Sequence, residues 1–81
     1  MDNNEYFEYL NDIKNNLTKE NREKLIEELK DLNKQSLYWL KKYTDIKSIN
    51  EDEDIAKEYA KMTYEEIMSK IEDLKYILGK I

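Results

Sequence analysis

Apolar side chains recur every third or fourth residue along almost the whole of this chain, and that spacing predicts helices. In a first segment, about residues 4–15, Tyr6, Leu10, Ile13 and Leu17 fall on one helical face, with Phe7 and Tyr9 widening it. Asn3 or Asn4 can cap its start, and Glu5 and Glu8 suit the positive end of the helix dipole. Asn15 and Asn16 tolerate the left-handed backbone that ends a helix, and Thr18 is placed to cap the next one.

The second segment, about residues 19–43, carries Leu25, Leu29, Leu32, Ser36, Trp39 and Tyr43 in alternating four- and three-residue steps, the pattern of a seam against another helix. Its last third differs, because Ser36-Leu37-Tyr38-Trp39-Leu40 surrounds the helix with uncharged, mostly apolar side chains. A helix that is apolar all round is enclosed, so this girdle belongs either in the centre of the bundle or in an interface with another chain. After a joint near residues 44–49, Ser48 with Glu51 or Asn50 with Glu53 offers a capping pair for a third helix, about residues 50–62. Thr63 and Glu66 have capping-box spacing, with Met62 and Ile67 at the staple positions, so a break at Thr63 and a fourth helix over residues 64–78 are expected. One feature argues against a break: Ala60, Tyr64, Ile67, Ile71, Leu74, Leu78 and Ile81 keep a single register straight through it. Gly79 is a natural C-cap.

The expected fold is all-α: one domain over residues 1–81, a small antiparallel bundle of three to four helices with one long central helix. At 1.5 Å per residue the second helix would reach ~37 Å. The first covers only half of that, which invites a second copy of the chain as a homodimer.

Composition narrows the function. The chain has no proline, histidine or cysteine and a single glycine, so neither an imidazole base nor a thiolate is available. Ser36, Ser48 and Ser69 stand in no nucleophile-elbow sequence, and no glycine-rich phosphate loop is present. No catalytic, cofactor-binding or metal site is expected, and the reading is of a protein that is not an enzyme. The longest uncharged run in the body of the chain, Gln35 to Leu40, is far too short to span a bilayer, and the start is acidic and polar, so no membrane association and a cytoplasmic location are expected.

Charge is distributed unevenly. The formal net charge is −5, yet residues 34–48 hold four bases and one acid, while residues 49–66 hold seven acids and two bases. Two candidate contact regions follow. Tyr38, Trp39, Lys41, Lys42 and Tyr43 interleave aromatics with lysines, and Tyr and Trp are enriched at protein-binding hot spots. Glu51, Asp52, Glu53 and Asp54 open the third helix, where they suit its dipole and could also meet a basic partner. Lys57 stands where an EF-hand needs glycine, so a calcium loop is rejected. Tyr76, like Tyr38, falls off the apolar seam of its helix and joins the candidates. Aromatics beside lysines can hold single-stranded nucleic acid, but so small a basic patch on an acidic protein disfavours it as a partner.

The expected function is binding of another protein as a regulator or inhibitor, of the kind that mobile elements or phages direct at nucleic-acid-handling enzymes. The alternatives are a structural homo-oligomer burying the Ser36–Leu40 girdle, an immunity protein or antitoxin, and a weak single-strand binder. In size and composition alone the chain is similar to phage anti-defence proteins, bacteriocin immunity proteins and antitoxins, and no motif ties it to any of them.

Overall fold

A computed structural model describes residues 3–47 and 49–79. Among them are three helices and no strand: α1 (Asn3–Asn15), α2 (Lys19–Asp45) and α3 (Glu51–Leu78). Ser48 as an alternative cap and Ile81 at the end of the apolar register lie outside the described residues.

The helix ends follow from local chemistry. Thr18 caps α2, its hydroxyl accepting from the Asn21 N–H at 3.1 Å. Asn50 caps α3, its side-chain oxygen accepting from the Glu53 N–H at 2.9 Å, while the Glu53 carboxylate reaches back to the Ile49 N–H at 3.2 Å. At the far end of α3, Gly79 adopts φ +74° and its N–H bonds to the Lys75 carbonyl at 3.0 Å. An added Cβ there would meet nothing within 4 Å, so the need for glycine is torsional. Two expectations about α1 are corrected. Asn3 and Asn4 lie inside its first turn instead of before it. Asn15 and Asn16 do not take the left-handed conformation; the Asn16 side chain instead donates to the Asp12 carbonyl at 2.8 Å and closes the last turn.

The expected break at Thr63 is absent, and α3 runs unbroken for 28 residues. The Thr63 hydroxyl donates to the carbonyl of Tyr59, four residues back, at 2.9 Å. A capping residue needs extended backbone, and leaving the helix here would throw Ala60 and Ile67 out of register on the seam they share. Continuity of the apolar row decides the matter. The second helix also runs two residues past Tyr43, to Asp45, because the Thr44 hydroxyl bonds to the Lys41 carbonyl at 2.9 Å inside the helix.

Successive helices reverse direction. Trp39 lies beside Tyr59, Tyr43 beside Lys57, and Arg22 beside Leu78, which fixes α2 and α3 as an antiparallel hairpin. Arg22, the chain's single arginine, donates to the last α3 carbonyl at 2.9 Å and places a positive charge at the negative end of that helix. The side of α3 that meets α2 carries Ala60, Ile67, Ile71, Leu74 and Leu78. Ser69, Asp73 and Tyr76, which meet α1, lie roughly opposite at 100° per residue. So α3 stands between the other two helices, and α1 covers its C-terminal half instead of lying along α2. The end of α1 meets α2 only at the corner, where Ile13 and Leu17 approach Lys24 and Leu25.

The result is a flat, elongated bundle, 49 × 28 × 16 Å, with a radius of gyration of 16.1 Å. A compact chain of this length would have about 12 Å. The apolar core gathers at one end. Leu29 and Leu32 pack with Ile67, Ile71, Leu74 and Leu78, and Leu17, Leu25, Ile26 and Met68 close around them. We call this the proximal half. The half near the α2–α3 loop, which we call distal, has Ser36, Trp39, Tyr43, Ala60 and Tyr64 on its seam.

These contacts rank the substitutions. Asn50→Ala should cost about 1 kcal/mol of stability in urea unfolding, as loss of an N-cap does. Thr63→Ala should stay within about 0.5 kcal/mol, the range of surface changes that remove no cap. Ile71→Ala, at 1% exposure, should cost ~2–5 kcal/mol. A larger loss from Thr63→Ala than from Asn50→Ala would mean that α3 is broken after all.

Candidate contact surface

The girdle anticipated on α2 is not in the bundle centre. Ser36 is buried and Trp39 half-buried, but Leu37 is 68% exposed, Tyr38 56% and Leu40 40%. α1 lies on the face of α3 opposite α2 and ends on its proximal half, so it covers neither this girdle on α2 nor the distal stretch of α3.

The hairpin displays two broad faces here. On one, Trp39, Lys42 and Ile46 of α2 and Asp52, Ile55, Ala56, Tyr59 and Ala60 of α3 line an open groove of about 430 Å³. Its floor is low because α3 contributes alanines at Ala56 and Ala60, the latter almost wholly buried under its neighbours. Its walls are aromatic. Tyr38 packs edge-on against Trp39 with ring centres 5.4 Å apart, and Trp39 against Tyr59 at 5.7 Å, so an aromatic row crosses from one helix to the other. The Lys42 ammonium sits over the Tyr38 ring at 5.3 Å and donates to its hydroxyl at 3.1 Å. On the opposite face Leu40 and Tyr43 meet Lys61, Tyr64 and Glu65, with the Lys57 ammonium 4.9 Å above the Tyr43 ring.

Nine of the ten candidate residues therefore gather at the distal end. Trp39 and Lys42 share the groove with Asp52, and Tyr38 packs against Trp39 beside it. Tyr43 lies half-buried on the seam, and Lys41 is exposed on the outer side of α2 beside Tyr38 and Asp45. Glu51, Asp52 and Asp54 are exposed at the start of α3, whereas Glu53 is half-buried and engaged in the cap. Tyr76 is the exception. It stands at the proximal end and clasps α1: its ring packs against Phe7 at 5.9 Å, its hydroxyl donates to Asn11 Oδ1 at 2.7 Å, and the Lys14 ammonium lies 5.4 Å above it. Tyr6 adds a second clasp, its hydroxyl bonded to the Asp73 carboxylate. That bond, then desolvation, then the negative charge of Asp73, raise its pKa above the ordinary 10.0.

Sequence reasoning missed Ile55 and Met62 as site residues and did not join Tyr59 to the site. The three are 62%, 55% and 62% exposed respectively. The signal was present: Ile55, Tyr59 and Met62 step by four and three, a second apolar stripe on α3 beside the one that faces α2.

The buried Ser36 hydroxyl donates to the Asn33 carbonyl at 2.7 Å. Among the described residues no group of three or more acidic side chains converges as a metal site, and no helix is long and apolar enough to cross a membrane. No protein-family model, no curated protein and no solved structure matches the chain.

The clasp role of Tyr76 has a direct readout. Tyr76→Ala should raise the rate of tryptic cleavage after Lys14 several-fold by loosening α1, while Tyr76→Phe, which keeps the ring, should raise it far less. The Tyr6–Asp73 bond requires the protonated phenol, so its contribution is complete below pH 10.0 and is lost as pH rises through the raised folded value. Tyr6→Phe, which deletes the bonding hydroxyl, should therefore raise cleavage after Lys14 at neutral pH. Equal cleavage of all these variants would show that neither tyrosine holds α1.

Proposed function

We propose that this protein works by contact and not by catalysis: it is a helical module whose distal half docks against another protein, in the manner of a regulator or inhibitor. One observation carries the reading. Large apolar side chains stand exposed on the half of the hairpin that α1 leaves uncovered, with Leu37, Tyr38, Leu40, Ile55, Tyr59 and Met62 all at 40% exposure or more. Scattered apolar residues are ordinary on a protein surface, but so many gathered on the two faces of one short stretch of hairpin favour an interaction site there. Tyrosine suits such a surface because it adds apolar area with little rotamer entropy to lose and keeps a polar tip for water or a partner.

Charge supports a basic partner. Residues 49–66 hold seven acids and two bases, and Glu51, Asp52 and Asp54 project from the start of α3. These groups would steer encounter with a basic surface and make the association rate depend on salt. Asp52 stands across the groove from Lys42, and the acids around it repel phosphate, which argues against nucleic acid as the ligand.

Replacing Glu51, Asp52 and Asp54 together by Ser tests the reading, with Glu53 left in place because it completes the cap. Affinity capture from the native cell should recover a discrete protein with the wild type. It should lose that protein, or hold it without salt dependence, with the triple variant, and Leu37→Ser with Leu40→Ser should weaken capture more than tenfold. Identical capture by all three forms at low and high salt would refute the reading.

A further inference from the structure

We propose that the Trp39 groove is a self-association face, covered by a second copy of this chain with α2 of each copy lying over α3 of the other. This rests on the reading of the distal half as a contact surface and assigns one of its two faces to a named occupant. The face bearing Leu37 and Leu40 remains open to a different protein.

Three observations lead there. The first is area. The chain exposes 6531 Å², whereas a compact monomer of its 9.9 kDa would expose about 5,200 Å². The excess, about 1,300 Å², exceeds the ~800 Å² that each partner contributes to a standard interface. A three-helix chain with its core at one end is short of burial by the amount that a twin would supply.

The second is shape. A two-fold interface must be self-complementary, so one patch has to carry both a ridge and a hollow. The groove has both: Ala56 and Ala60 form the hollow, and Ile55, Tyr59 and Tyr38 stand up beside it at more than half exposure. A two-fold axis parallel to the hairpin brings Trp39 and Ala56 near the axis and sets the Tyr59 ridge of each copy against α2 of the other. The four distal helices then form an antiparallel bundle.

The third is charge, and it selects the orientation. Along the distal hairpin α2 is basic and α3 acidic, with four bases against one acid in residues 34–48 and seven acids against two bases in residues 49–66. Packing α3 on α3 would stack acids on acids. Packing α2 on α3 sets Lys42 toward Asp52 of the other copy, twice per dimer. Like charges juxtaposed across an interface disfavour the wrong arrangement more strongly than the matched pair favours the right one.

Sedimentation equilibrium at tens of micromolar gives the test. The wild type should have twice the 9.9 kDa chain mass. Ile55→Ser with Tyr59→Ser, both surface positions that leave the core intact, should return it to the single-chain mass with unchanged helical circular dichroism. Lys42→Glu and Asp52→Lys should each weaken the dimer at least tenfold, and mixing the two should restore a dimer, because in α2-over-α3 packing the mixture pairs unlike charges. A wild-type monomer overturns the inference. So does a dimer that ignores these substitutions, or a mixture that does not recover. A monomer that still captures a foreign protein through Leu37, Leu40 and the α3 acids leaves the proposed function standing. A dimer that captures nothing removes that function and leaves this inference intact.

Discussion

The α2–α3 seam is strong at one end and weak at the other, and most of the molecule follows from that. In the proximal half, Leu29 and Leu32 interlock with Ile67, Ile71, Leu74 and Leu78. Aliphatic side chains buried this fully contribute roughly 1.5–3 kcal/mol each relative to exposure. In the distal half the same two helices meet through Ser36, Trp39 and Ala60, where a small residue on one side accepts a large ring on the other. α1 adds a second packed face to α3, and only proximally. The distal hairpin is therefore stiffened by aromatic edge contacts and by Lys42 and Lys57 lying over tyrosine rings.

That imbalance links stability to function. Exposed ion pairs such as Lys24–Glu20 and Lys30–Glu27 are too solvated to make up for absent apolar burial. The tyrosines, isoleucine and methionine around the groove are the apolar groups left exposed there, and under the proposed reading they are the ones a partner covers.

Much of this was legible in the residues. The heptad from Ala60 to Leu78 specified α3 and its inward face, Thr18 and Asn50 marked helix starts, and Gly79 marked an end. Thr63 misled because a capping box is a local pattern, and local hydrogen bonds yield to a seam that extends for four turns on one side of it. Asn15 and Asn16 misled because an Asn side chain can close a helix by bonding a carbonyl as well as by turning left-handed. The girdle at Ser36–Leu40 was visible as an anomaly, but its exposure follows from α1 docking on α3 and leaving α2 with one neighbour. That choice rests on Tyr76, Phe7 and Asn11, residues 65 or more apart in sequence that no periodicity connects. Tyr76 looked free for a partner for the same reason: it lies off one seam because it makes another. Ile55, Tyr59 and Met62 were readable as a second stripe, and they carry meaning only once α1 is known to stop short of them.

Amide hydrogen exchange across a dilution series tests the central claim most directly. The account predicts that the proximal segments, about residues 22–33 and 64–78, are protected equally at every concentration. Distal segments, about residues 36–46 and 51–62, should exchange fast when dilute and slow progressively as concentration rises. Uniform protection of both halves, independent of concentration, would contradict it by showing that the distal hairpin is complete within a single chain.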